Sequence, residues 1–179
     1  MRNEMQTELN STASGTSKSP FCSLEHFFSV MPLDACIFGI DLGTKTIGIA
    51  IVFDIRNGIA SPLQTLSRGK FSQTVEELLD LAKEYRVSGF VIGLPVDTRG
   101  FHGRSVQSTE GFFRNVSKLT PLPMTCWDER FSTLAVTKTL VDAGVGRLKR
   151  AKLVDKMAAA FILQGALDAM RFNNWCQRG

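Results

Sequence analysis

The chain has 179 residues, of which 44% are hydrophobic and 21% charged, so it is long enough for one domain with some excess, and wholesale disorder is excluded. Its longest apolar runs, Ala35–Ile40 and Met157–Leu163, fall far short of the roughly 18–20 residues of a membrane-spanning helix, and a transmembrane protein is excluded with them. The formal charge of +4 identifies no partner by itself, but its distribution is uneven: Arg147, Lys149, Arg150, Lys152 and Lys156 stand against the single acid Asp155.

Residues Met1 to about Pro32 differ from the rest. Thr7, Ser11, Thr12, Ser14, Thr16, Ser17 and Ser19 dominate the first twenty positions without apolar periodicity, which predicts a flexible extension over 1–34 and one folded domain over 35–179. The extension lacks the apolar stretch of a secretory signal, and Glu4 and Glu8 with few arginines disfavour a transit peptide. An upstream start or a dispensable tail fits it better. Cys22, Cys36, Cys126 and Cys176 form neither a C-x-x-C pair nor a disulfide frame, which excludes a zinc ribbon and suits a reducing cytoplasm.

From Ala35 the periodicities are clear. Ala35–Gly43 and Thr46–Phe53 read as two strands joined by a turn at Gly43-Thr44-Lys45, an antiparallel hairpin. A third strand is predicted over about Ile59–Leu66, and Val75, Leu78, Leu79 and Ala82 give Phe71–Tyr85 helical spacing. Phe90–Leu94, closed by Pro95, reads as a strand buried on both faces. Gln107–Leu119 is predicted helical, Met124–Trp127 a further buried strand, Leu134–Val141 a helix stopped at Gly144, and Leu153–Phe172 the last and longest helix. This order implies an α/β fold, a mixed sheet with helices on both faces.

Three acids carry the candidate chemistry. Asp41 interrupts an apolar strand on the same face as Gly39; a bound Mg²⁺ or Mn²⁺ would compensate it, or it accepts hydrogen bonds at a strand end. Gly39, Gly43 and Gly48 around it are expected to keep space open for a substrate backbone. Glu129 follows a buried strand, where α/β sheets gather ligands, and is a candidate metal ligand or base; alternatively Asp128 and Glu129 pair with Arg130. Asp155 shares a helix face with Ala158, Ala159 and Ile162, a small apolar stripe in which an acid has little structural purpose. Three carboxylates at one point would repel unless cations sat among them, and two such cations could drive phosphodiester hydrolysis. The basic cluster would then hold a nucleic-acid backbone, unless it is simply a solvated helix face.

Four blocks carrying these residues resemble the YqgF/RuvX family of RNase H-like nucleases: Gly39–Ala50 (GIDLGTKTIGIA), Val91–Pro95 (VIGLP), Trp127–Thr133 (WDERFST) and Val154–Gln164 (VDKMAAAFILQ). They stand in the family's order, and the likeness spans Ala35 to Met170. The resemblance implies an RNase H-like mixed five-stranded sheet flanked by helices on both faces, and Asp41, Glu129 and Asp155 as catalytic acids and metal ligands. It also implies Mg²⁺ or Mn²⁺ as cofactor, a cytoplasmic location and a role in maturing the 5′ end of pre-16S rRNA during ribosome biogenesis. Where the family tends to show Gly-Pro-Arg-Ala, this chain has Gly103-Arg104-Ser105-Val106, its arginine displaced by one position.

Lys45, Arg104, Lys149, Arg150, Lys152 and Lys156 are the candidate nucleic-acid contacts, with Arg99 and His102 weaker ones in the same loop region as Arg104. Cys126 and Trp127 read as core rather than as nucleophile and stacking platform, and His26 as incidental. Cleavage of four-way DNA junctions is the alternative activity, and a non-catalytic nucleic-acid-binding domain a third, which the acids argue against because phosphates attract cations. The Gly39–Thr46 block also resembles the phosphate turn of actin-like ATPases, but one small domain cannot supply their two lobes. Whether a monomer or a homodimer acts is open; a resolvase should be a dimer.

Overall fold

A computed structural model of the chain describes residues 21–95, 103–128 and 147–175, with side chains in the last segment from Asp155 onward. The elements in chain order are α1 (Leu24–Ser29), β1 (Cys36–Leu42), β2 (Thr46–Val52), β3 (Ser61–Ser67), α2 (Phe71–Glu84), β4 (Val87–Leu94), α3 (Arg104–Val116), β5 (Met124–Asp128) and α4 (Arg147–Asn173). The strands form one five-stranded sheet in the order β3-β2-β1-β4-β5. β1 pairs antiparallel with β2 and parallel with β4, while β5 runs parallel to β4 and β3 antiparallel to β2. The parallel strands β1, β4 and β5 therefore end on the same side of the sheet, where β2 begins.

Period-two alternation divides the side chains between two cores. Phe38 and Ile40 of β1, Ile47, Ile49 and Ile51 of β2, and Phe90 and Ile92 of β4 pack under α2 and α3. Ile37, Ala50, Val52 and Val91 face the other way, toward Ala159, Ile162, Leu163, Ala166 and Leu167 of α4. Helices thus cover both faces of a mixed five-stranded sheet, the architecture expected from the motifs. The Gln164 side chain ties α4 to the sheet's edge by accepting from the Ala60 N–H at 3.0 Å. Among the described residues, no helix is long and apolar enough to cross a membrane.

Several boundaries differ from expectation. β3 starts at Ser61 rather than Ile59, whose side chain is 76% exposed. α3 begins at Arg104, three residues before the first expected helical position, and Gly103 is its cap. α4 begins at Arg147, because a basic first turn carries no apolar periodicity to mark it. The expected helix over Leu134–Val141 lies outside the described residues.

The largest difference is at the N-terminus. Flexibility expected over 1–34 does not extend to its described part. Cys22 donates its N–H to the Met124 carbonyl at 2.9 Å, and the Thr125 hydroxyl donates to the Cys22 carbonyl at 3.0 Å. Ser23 caps α1, whose Phe27 and Phe28 are fully buried against the α4 side of the sheet. The helix has only six residues, too few for an apolar period to emerge beside a Ser/Thr-rich leader.

Candidate functional site

Asp41 lies near the end of β1 on the face that α4 covers, and its partner across the β1–β2 ladder is Gly48. Asp155 stands on α4, in line with Ala158, Ala159 and Ile162, all of which are buried, and Ala159 and Ile162 pack against the sheet. A Cβ added to Gly48 would collide with the Asp155 carbonyl group. A Cβ on Gly39 would meet the Leu163 Cβ at 2.5 Å and the Ala159 carbonyl oxygen at 2.6 Å. The expectation that these glycines leave room for a substrate is therefore corrected: Gly39 and Gly48 let α4 lie directly on the sheet. That close approach is what brings Asp155 to Asp41.

The electrostatics register the meeting. Burial first, and the charge of Asp155 second, push the Asp41 carboxyl up to about 6 from an ordinary 3.8. Thr46, the first residue of β2, donates its hydroxyl to Asp155 Oδ2 at 2.5 Å. Two carboxylates on different elements, one raised by burial and by the charge of the other, present hard oxygen donors of the kind Mg²⁺ and Mn²⁺ prefer, and the Thr46 hydroxyl is bonded to the second.

A family model described as "RuvX: Holliday junction resolvase" matches residues 35–169. The chain belongs to the RuvX family. The chain is also similar to a proposed pre-16S rRNA nuclease of Rhodobacter capsulatus, 49% identical over 147 residues, 82% of this chain and 92% of the relative. Another of the same name, from Methylocella silvestris, is 51% identical over 135 residues, 75% of this chain and 83% of the relative. Among solved structures the chain is distantly similar to the Thermus thermophilus RuvC in complex with a Holliday junction substrate: TM-score 0.48, 11% identity, 76% of this chain and 96% of that one. The RuvX match starts at residue 35, so the α1 segment precedes the matched region.

The remaining site residues of this RuvX chain distribute as follows. Glu129 lies outside the described residues, directly after Asp128 at the end of β5. Among the described residues no group of three or more potential metal-binding side chains occurs. Lys45 is exposed in the turn between β1 and β2, and Arg104 is exposed at the start of α3; the strand ends thus place both at the same side of the sheet as Asp41. Lys156 is half-buried beside Asp155, whereas Lys149, Arg150 and Lys152 fall in the first turns of α4, where side chains are not among those described. Arg99 and His102 also lie outside the described residues. Cys126 is a buried core residue, and Trp127 is half-buried, packed against the core over Gly165 of α4.

Two residues escaped the sequence reading. Thr46 is one, an ordinary β-former at a strand start until residue 155 arrives beside it. Arg68 is the other. It donates from Nη1 to the Gly43 carbonyl at 2.8 Å, and its guanidinium lies 5.6 Å from the Phe112 ring centroid. Arg68 thereby braces the turn that carries Lys45 against α3. No local pattern announces such a role, because both partners are distant in the chain.

Proposed function

We propose that the protein is a metal-dependent phosphodiester hydrolase that processes the 5′ end of pre-16S rRNA in the cytoplasm during ribosome biogenesis. The observation that carries the reading is the convergence of Asp41 and Asp155 on the α4 face of the sheet, with burial and mutual charge opposing Asp41 ionisation. Protein structures retain such a pair where a cation offsets it, and the donor set here is all oxygen. Asp41, Glu129 and Asp155 are the proposed ligands and catalytic acids. A divalent cation held by them, Mg²⁺ or Mn²⁺, supplies Lewis acidity for attack by water and offsets charge on the leaving oxygen of the phosphodiester.

The chain's own residues bind and orient. Lys45 and Arg104, with Lys149, Arg150, Lys152 and Lys156 along the first turns of α4, are the proposed contacts to the phosphate backbone. The names of the curated relatives favour RNA as the substrate. Family membership makes a four-way DNA junction the second substrate to test.

The test is cleavage of a labelled pre-16S fragment and of a four-way junction, with Mg²⁺ or Mn²⁺, by wild type and Asp41→Asn. Wild type is expected to cut the RNA and the variant to leave it intact. Equal cutting by both would remove Asp41 from the mechanism, and cutting of the junction alone would transfer the activity to DNA.

A further inference from the structure

We propose that Thr46 is a positioning residue: its hydroxyl holds the Asp155 carboxylate in the orientation that receives the divalent cation, and so sets the affinity of the centre for that cation. The inference rests on the metal-dependent reading above and adds to it a residue that touches neither cation nor RNA.

Asp155 and Asp41 are held differently. Asp41 sits within a ladder that pairs it with Gly48, on a strand bonded on both sides. Asp155 has a fixed backbone, pressed onto Gly48, but its carboxylate hangs from two rotatable bonds on a helix flank. The bond from Thr46 supplies the missing restraint, at 2.5 Å to Oδ2. Thr46 is well built for it. Its β-branched side chain has few χ1 choices, its strand is paired at this residue with Ser67, and it shares the α4 face with Gly48 and Ala50. The hydroxyl takes up one lone pair of Oδ2 and leaves the carboxylate's other lone pairs for a cation. Orientation of a ligand by a hydrogen-bonded neighbour is how metal centres reach their affinity, and loss of such a neighbour typically weakens binding ten- to a hundred-fold.

The experiment compares the full-length wild type with Thr46→Val and Thr46→Ser. Mn²⁺ binding is followed by electron paramagnetic resonance of the free ion, and cleavage of the pre-16S fragment is followed against metal concentration. Thr46→Val is expected to weaken Mn²⁺ binding roughly ten- to a hundred-fold and to raise the half-activating metal concentration by the same factor. Its rate at saturating metal should return to near the wild-type value, and Thr46→Ser should restore the affinity because it restores the hydroxyl. Thr46→Ala removes the same group without new bulk and carries the test if the valine variant does not fold. Wild-type affinity in a folded variant lacking the hydroxyl overturns the proposal, as does a serine variant no better than valine. Wild type that binds Mn²⁺ under Thr46 control but cuts no RNA sinks the nuclease reading and leaves the positioning role standing; wild type that binds no Mn²⁺ sinks both.

Discussion

The carbonyl group of Asp155 occupies the space that a side chain on Gly48 would need. Helix and strand touch there backbone to backbone, and the candidate centre exists because of that contact. Gly48→Ala should push α4 outward, at a cost at or above the roughly 1–3 kcal/mol of a typical overpacking substitution. The matching observation is a fall in the denaturant midpoint together with loss of RNA cleavage, since the shift carries Asp155 away from Asp41. A stable, active Gly48→Ala protein would mean that α4 yields without disturbing the pair.

Asp41 makes stability depend on pH in an unusual direction. Its carboxyl is raised to about 6 in the folded chain, so between about 4 and 6 the folded state binds more protons than the unfolded one. Without added cation, the stability contributed by the protonated form is full below that range and is lost as pH rises through it. The shift corresponds to a penalty on the order of 3 kcal/mol at pH 7, taking about 1.4 kcal/mol per unit. Asp41→Asn is therefore expected to melt higher than wild type at pH 7 and to lose this part of the pH dependence, while cleaving no RNA. Thermal melts in chelator across that range provide the check.

Phe27 is fully buried, and its ring lies 2.7 Å from where a Cβ on Gly89 would sit. Phe27→Ala should destabilise the protein by about 3–5 kcal/mol, as for other buried phenylalanines. Urea unfolding decides whether α1 belongs to the folded body; a variant as stable as wild type would mean that the segment only rests on it.

The basic residues should reveal themselves through salt. Replacing Lys45 or Lys152 by alanine is expected to weaken RNA binding evenly across sequences and to lower the slope of log affinity against log salt by about one unit per lost phosphate contact. An unchanged slope for Lys152→Ala would identify the α4 cluster as a solvated face.

Much of this arrangement was legible in the sequence, for identifiable reasons. The hairpin and the buried strand β4 announce themselves through apolar runs, and Asp155 through its place in a stripe of small residues. Residues whose role is set by distant neighbours were not legible. Gly39 and Gly48 read locally as space for a ligand, because nothing nearby in the sequence says that a helix more than a hundred positions later fills it. Thr46 and Arg68 gain their partners in the same way, from Asp155 and from Gly43. Boundaries slipped where polarity hides periodicity, at the basic start of α4 and at α1 behind its serine-rich leader.

Mn²⁺ binding to the intact chain tests the central claim most directly, measured for wild type and for Asp41→Asn, Glu129→Gln and Asp155→Asn. If acids from β1, from the residue after β5 and from α4 share one centre, each single substitution abolishes or severely weakens binding while the protein stays folded. A wild type that takes up no Mn²⁺, or a Glu129→Gln or Asp155→Asn protein that binds it as tightly as wild type, would contradict the account.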